Sequence, residues 1–340
     1  MKKVLVTGGL GFIGSHTVVE LQQNGFEVVV IDDLSNSSIK VLEGIASITG
    51  KTPAFERLDL KEKNKVEAFF DQHHEIVGVI HFAASKAVGE SVEKPLLYYE
   101  NNINTLVYVL KSLSKLKHQN FIFSSSCTVY GQADQMPITE NAPIKPAESP
   151  YGNTKQIGEE IIKDTCKVLP SLKAISLRYF NPIGAHPSSK IGELPIGVPQ
   201  NLVPFITQTA AGFRKELSVF GNDYPTQDGT CIRDYIHVVD LAKAHVVALQ
   251  RLLEEKSNSN YETFNVGTGK GSSVLEAIQS FEKVSGTSLN YKFAPRREGD
   301  VIQAYADTTK ANTTLGWKAA YNLDDAMLSA WNWEKKIRNI

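Results

Sequence analysis

Lys3-Val4-Leu5-Val6-Thr7-Gly8-Gly9-Leu10-Gly11-Phe12-Ile13-Gly14 opens the chain with a short apolar run that passes directly into a glycine-rich turn and then into a helical pattern. Val4, Leu5 and Val6 have the aliphatic, largely β-branched character of a strand buried in a parallel sheet. Gly8 and Gly11 permit a tight turn and a close backbone approach to a ligand, and Gly14 permits the following helix to pack against the strand. That helix is predicted over 12–24, with Ile13, Thr17 and Leu21 on one side and Gly25 behind it as the residue that ends it. Its first N–H groups and the positive end of its dipole point at the turn, which suits a pyrophosphate.

A second strand, Glu27-Val28-Val29-Val30-Ile31, ends in Asp32, where a dinucleotide fold places an acid to accept hydrogen bonds from the adenosine ribose. Strand, turn, helix, second strand and terminal acid together read as an NAD site. NADP is disfavoured, because its 2′-phosphate would meet the Asp32 carboxylate and no arginine follows nearby, although Lys40 is not far along the chain.

The 340 residues suffice for about two domains, and the 42% hydrophobic and 21% charged fractions are those of a soluble globular protein. Lys and Arg total 36 against 37 for Asp and Glu, a formal net charge of -1, so nucleic acid is not an expected partner. Cys127, Cys166 and Cys231 are widely spaced and odd in number, which argues against a disulfide framework. No metal site is expected. Met1 leads at once into the first strand and no apolar run approaches a membrane span, so the expected location is the cytoplasm, without membrane attachment.

Further strands are predicted at 54–57, 77–81, 120–123 and 174–178, with helices over 61–73, 95–115 and 151–168. This alternation gives an α/β class protein: a doubly wound parallel sheet of the Rossmann type with at least six strands. Asp59 could meet the adenine amino group or cap a helix. The small-residue loop Phe82-Ala83-Ala84-Ser85-Lys86 follows a strand and would lie beside the cofactor, with Lys86 towards phosphate or ribose, or else solvated. Asn101 and Asn102 are poor helix formers side by side and require a reason, such as one of them reaching the cofactor. The hydroxyl run Ser124-Ser125-Ser126 is read as a loop opening from the strand at 120–123.

Past Asn181-Pro182 the pattern breaks into short pieces. The expected division is a cofactor domain over 1–181 and a smaller, mixed α/β substrate domain over 182–340, with a strand and helix near 234–266 returning to the first. The second part is predicted to hold helices at 201–211, 241–255 and from 273, strands at 217–220, 234–238, 263–266 and 290–294, a loop over 295–300 and two terminal helices. Arg233 and Arg297 fall in its loops, suited to an anionic substrate or to surface ion pairs.

Tyr151 and Lys155 are four residues apart at the start of a helix, so both side chains emerge on one face. Tyrosine titrates near 10, too high for a base at neutral pH. A unit positive charge at about 4 Å in an effective dielectric of ~20 contributes roughly 4 kcal/mol, about 3 pKa units. Lys155 together with the cationic nicotinamide of NAD⁺ is therefore expected to bring Tyr151 close to neutrality.

Gly8-x-x-Gly11-x-x-Gly14, the serine run and Tyr151-x-x-x-Lys155 resemble the extended short-chain dehydrogenase/reductases. The longer stretches at 81–91, 178–182, 220–226 and 233–238 resemble the UDP-glucose 4-epimerase family within that group, and the likeness runs from Val4 to about Trp333. The resemblance implies that Tyr151 is the base, that Lys155 holds the nicotinamide ribose and lowers the tyrosine pKa, and that Ser126 bridges Tyr151 and the sugar O4. It implies NAD contacts from Gly8, Gly11, Phe12, Ile13, Gly14, Asp32, Asp33, Asn36, Asp59, Leu60, Phe82, Ala83, Lys86, Asn101, Ser124, Tyr151, Lys155 and Tyr179. For the UDP-hexose it implies Lys86, Ser126, Tyr151, Asn181, Asn201, Leu202, Arg233, Arg297, Asp300 and Ala304.

The implied reaction interconverts UDP-glucose and UDP-galactose, in galactose metabolism, by transient oxidation at sugar C4, rotation of the 4-keto sugar and hydride return to its other face. Family members restricted to glucose carry a tyrosine where Ala304 stands, and members that also take N-acetylhexosamines carry a small residue. UDP-N-acetylglucosamine and UDP-N-acetylgalactosamine are accordingly expected as further substrates. A homodimer through the helices at 95–115 and 151–168 is expected on the same resemblance. Rival readings are a 4,6-dehydratase, which looks for an Asp-Glu pair that the Ser126-Cys127-Thr128-Val129 loop lacks, a UDP-glucuronate epimerase or decarboxylase, and a non-enzymatic NAD sensor, which has no use for Tyr151 and Lys155.

Overall fold

The alternation in the first half builds six parallel strands, β1 (Lys3–Thr7), β2 (Glu27–Asp32), β3 (Ala54–Arg57), β4 (Ile76–His81), β5 (Gln119–Ser126) and β6 (Leu172–Tyr179). With the later strand Tyr261–Val266 they form one sheet in the order Tyr261–Val266, β6, β5, β4, β1, β2, β3. The computed structural model describes residues 1–297 and 300–340; Glu298 and Gly299, within the loop predicted over 295–300, lie outside the described residues.

Strand residues alternate between two cores, as period two requires. Val4, Val6, Val28, Val30 and Ile80 pack on one face with Val18 of α1 (Phe12–Gln23). Leu5, Val29, Ile31, Val79 and Phe121 pack on the other with residues of α3 (Lys63–Gln72), α5 (Pro95–Leu113) and α6 (Pro150–Val168). Two short helices, α2 (Val41–Thr49) and α4 (Val88–Glu93), have no counterpart among the predicted elements. Each of the fully buried aliphatic side chains contributes roughly 1.5–3 kcal/mol.

The chain order reverses at β1, which has β4 on one side and β2 on the other. In such sheets the crevice above the carboxyl ends of those strands is where ligands bind. It holds the turn after β1, where the Gly8 amide donates to the Ile31 carbonyl (2.7 Å), and the turn after β4, where the Phe82 amide donates to Thr7 O (3.0 Å).

Beyond residue 181, α7 (Leu202–Ala210), α9 (Val274–Ser285) and α10 (Leu323–Arg338) enclose a separate core with Ile206, Val219, Phe281, Met327 and Trp331. The helix α8 (Val238–Leu253) instead packs on the first core through Leu241 and Leu249. The strand Tyr235–His237 does not join the main sheet; it pairs in parallel with Asn181–Ile183. The return is thus made by α8 and Tyr261–Val266. The chain ends in one helix, α10, preceded by a five-residue π-helical turn at Ala311–Leu315 where a further helix was expected.

Candidate active site

The glycines of the first turn are fixed by contact. Gly8 has φ +66°, and a Cβ there would stand 2.8 Å from the Ala83 nitrogen, while a Cβ on Gly14 would stand 2.2 Å from the Gly8 carbonyl oxygen. Helix α1 therefore sits against the turn more closely than any side chain allows. Gly11 precedes it without a side-chain cap, its first turn carries no acid, and the amides of Phe12 and Ile13 have no acceptor among the described residues. Two free donors at a helix N-terminus, on a backbone stripped of side chains, fit the pyrophosphate of a dinucleotide.

Asp32, 8% exposed, accepts from the Leu10 amide (3.0 Å), the Leu34 amide (3.0 Å) and the Ser37 hydroxyl (2.7 Å). A carboxylate has about four acceptor positions, so one is left for a ribose hydroxyl. Asp33 closes a local turn on Ser35, and Asn36 is exposed beyond it. Asp59 caps no helix, because α3 begins four residues later; its carboxylate accepts from the Lys61 amide (2.9 Å), beside buried Leu60.

The paired asparagines divide their work. Asn101 donates to the Ser85 hydroxyl (3.0 Å). Buried Asn102 accepts from the Ser85 amide (2.8 Å) and donates to the Ser85 carbonyl (3.0 Å) and the Thr154 hydroxyl (3.0 Å). It ties the loop after β4 to α6 as a strand would, and so positions Ala83 and the half-buried Phe82, whose ring lies 4.6 Å from that of His245. Lys86 is exposed, with its ammonium 3.6 Å from Glu193; the same carboxylate accepts from Asn201 (2.7 Å), the residue preceding Leu202 and α7. Neither Asn102 as a clamp nor Glu193 as a bridge was read from the sequence, and Glu193 carried no local signal.

The serine run is not a loop. Ser124, Ser125 and Ser126 continue β5, paired with Leu177, Arg178 and Tyr179 of β6, and all three are buried. The Ser124 and Tyr179 hydroxyls are hydrogen-bonded, and Ser126 caps the 3-10 turn Cys127–Tyr130 through the Thr128 amide (3.2 Å). Facing them on α6, Tyr151 and Lys155 are 8% and 4% exposed. The Lys155 ammonium donates to the Ser124 carbonyl (2.7 Å) and lies 5.7 Å from the centre of the Tyr151 ring.

Within the protein itself, burial dominates the electrostatics of the pair. Burial pushes the Tyr151 phenol above the ordinary value, the neighbouring Tyr179 adds to this, and the Ser126 hydroxyl opposes it. Burial also brings Lys155 down to about 8, against the Glu159 carboxylate, which holds it up. The pair shares one buried face of α6, as its spacing implies, and burial favours the neutral form of each group.

On the other side of the cleft Asp300 gathers both arginines, with Arg297 Nε at 3.0 Å and Arg233 Nη2 at 3.6 Å. Arg297 also lies over the Phe220 ring (5.0 Å). Two cations around one carboxylate leave a positive excess for an anion. Asn181 is half-buried where the chain leaves β6. Ala304, 8% exposed, joins an apolar wall with Val129, Tyr130 and Phe180, with Cys127 packed against it. No helix among the described residues is long and apolar enough to cross a membrane, and no group of three or more metal-ligating side chains occurs among them.

A family model described as GDP-mannose 4,6 dehydratase matches residues 5–329. The chain is similar to the UDP-glucose 4-epimerase of Bacillus subtilis, 49% identical over 336 residues that cover 99% of this chain and 98% of that protein. Among solved structures it is similar to a Stenotrophomonas maltophila UDP-glucose-4-epimerase with bound NAD and formylated UDP-arabinopyranose, with a TM-score of 0.95 and 46% identity over 100% of this chain and 99% of that one. A Bifidobacterium longum UDP-glucose 4-epimerase in complex with NAD⁺ and UDP gives a TM-score of 0.94 and 45% identity over 99% of each chain.

Proposed function

We infer, for a chain that belongs to the UDP-glucose 4-epimerase family, that it inverts sugar C4 between UDP-glucose and UDP-galactose, with Tyr151 as the base. The observation that carries the reading is the buried Tyr151–Lys155 pair at the carboxyl end of β5, on the same edge of the parallel sheet as the glycine turn that follows β1. Phe12 and Ile13 amides would hold the cofactor's pyrophosphate, and Asp32 the adenosine ribose. Lys155 and Tyr179 would border its nicotinamide end. NAD, when bound, supplies a hydride acceptor at C4 and a positive ring beside the phenol.

The protein's own part is proton transfer and grip. Tyr151 takes the proton of the sugar 4-hydroxyl and returns it to the 4-oxygen after inversion, while Ser126 orients that oxygen. Arg233 and Arg297 hold the nucleotide diphosphate, with Asn181 and Asn201 supplying amides. The hexose meets few charged groups, which leaves it free to turn. The Ser126-Cys127-Thr128-Val129 segment has no acid–base pair for eliminating water, which disfavours a dehydratase.

Tyr151→Phe is the direct test, since it removes only the ionisable hydroxyl. The variant is expected to lose about three orders of magnitude in kcat while NAD still copurifies, read by product separation and by nucleotide released on acid treatment. A variant that keeps most of its turnover would show that another group is the base.

Two finer readings belong with this one. The small Ala304 side chain in the apolar wall favours an N-acetyl group at sugar C2, which supports the N-acetylhexosamine pair as further substrates; the ring of Tyr305, the next residue, lies against Gly271. The half-buried stripe Tyr99, Ile103 and Val107 on α5, with Ile157 on α6, suits a homodimer formed across these helices. The place of the reaction is galactose metabolism.

A further inference from the structure

Tyr151, Lys155 and Glu159 recur at intervals of four along α6, so their side chains follow one another down its buried face. They are 8%, 4% and 7% exposed. The reaction proposed above uses the first two and leaves the buried carboxylate of the third without a task.

Strand β5 answers this row with its three serines. Ser126 adjoins Tyr151, the Ser124 carbonyl receives the Lys155 ammonium (2.7 Å), and the Ser125 hydroxyl donates to Glu159. Ser125 is paired across the sheet with Arg178, whose Nε (2.9 Å) and Nη2 (2.6 Å) donate to the two Glu159 oxygens. The same arginine reaches the Tyr130 hydroxyl (3.0 Å), at the end of the turn that Ser126 begins.

A buried ion pair is a poor source of stability, because an apolar pair of similar shape serves as well or better. An apolar pair would not place a negative charge one helical turn from Lys155. We propose that Glu159 is a positioning residue for the reaction: gripped by Arg178 and Ser125, its carboxylate keeps Lys155 charged and seated on the Ser124 carbonyl, beside Tyr151. The proposal rests on the roles given above to Tyr151 and Lys155.

The surroundings leave Glu159 as the anion that offsets the burial of Lys155. His81, at the end of β4, is held neutral by burial, which lowers it to about 3. Tyr98 from α5, Tyr179 and Tyr130 are neutral phenols, pushed up chiefly by burial, as is Tyr261 on the far side of Glu159. The Cys127 thiol beside Tyr151 is pushed up to about 11 by burial, the Glu140 carboxylate near Tyr130 accepts from the Asn265 amide (2.8 Å), and Arg178 is spent on Glu159 itself.

Glu159→Gln keeps the shape and removes the charge. Two readouts separate the proposal from its premise: the pH midpoint at which trace acetic anhydride labels Lys155 in the purified protein, followed by mass spectrometry, and the pH profile of kcat with UDP-galactose. Both the labelling midpoint and the alkaline limb of kcat are expected to fall by about one pH unit, with KM within about twofold of the parent, and Glu159→Asp is expected to restore both. Should Glu159→Gln alone not fold, Glu159→Gln with Arg178→Met removes both buried charges and is expected to shift the midpoint in the same direction. A folded variant that labels at the parent midpoint, whatever its kcat, overturns the proposal. The labelling does not depend on turnover, so a failure of Tyr151 as the base is seen separately in Tyr151→Phe.

Discussion

Tyr151 and Lys155 show how far a residue's chemistry can be read from spacing. Four residues on a helix place two side chains on one face, and the structure bears that out, but no spacing reveals the dielectric around them. Both groups are almost wholly buried, and burial favours each neutral form: the phenol rises and the ammonium falls to about 8. In the proposed function, the positive ring of bound NAD⁺ would act with Lys155 to bring the phenol down. Ala304 was legible in the same limited way, as a small residue at a telling position; its wall of Val129, Tyr130 and Phe180 required the fold. Ala304→Tyr is expected to lower kcat/KM for UDP-N-acetylgalactosamine by at least about tenfold, since an overpacked wall typically costs 1–3 kcal/mol, and to leave UDP-galactose nearly unchanged. Wild-type protein that epimerises UDP-galactose but leaves the N-acetyl sugar untouched would remove the assignment.

At the scale of elements, strands were read more securely than their ends. The run of β-branched residues in β1 and β2 and the acid closing β2 fall where expected, whereas the serines look like loop and are strand, because β6 extends alongside them to Tyr179. Asn101 and Asn102 announced a polar task without naming it; the partner, the Ser85 backbone, is distant in sequence and adjacent only once β4 and α5 are packed. The outward stripe of α5 and α6 carries a prediction of its own. Light scattering at micromolar concentration is expected to give twice the chain mass, and charged substitutions at Ile103 and Ile157 are expected to halve it. A monomer at that concentration would contradict the dimer, since a stable interface of about 1,200–2,000 Å² would persist there.

For the molecule as a whole, the doubly wound sheet followed from the alternation of strands and helices, but the second part was legible only in pieces. Its short strands pair with segments far away in the chain, and Tyr235–His237 resembles a sheet strand while belonging to a two-stranded ladder. Packing these parts buries four histidines in neutral form: burial lowers His16 and His81 to about 3, and His237 and His245 to about 4. The sign follows from linkage. Below pH ~6.5 the unfolded chain binds protons that the folded chain refuses, so their contribution is intact above that pH and is lost as pH falls towards the folded values, at about 1.4 kcal/mol per histidine per pH unit. Buried Glu20, Asp234 and Asp240, which burial raises, oppose the loss in part. With a typical stability of about 5–15 kcal/mol, cooperative unfolding is expected between pH ~4 and ~5.5 by circular dichroism, with net proton uptake. Native signal retained at pH ~3 would contradict it. The central claim is that one bound cofactor accepts and returns a single hydride at C4 while Tyr151 handles the proton. Purified protein, given UDP-galactose deuterated at C4 and no added NAD, is predicted to yield UDP-glucose that keeps the deuterium at C4; absence of conversion, or product in which the label has been replaced by hydrogen from solvent, would contradict it.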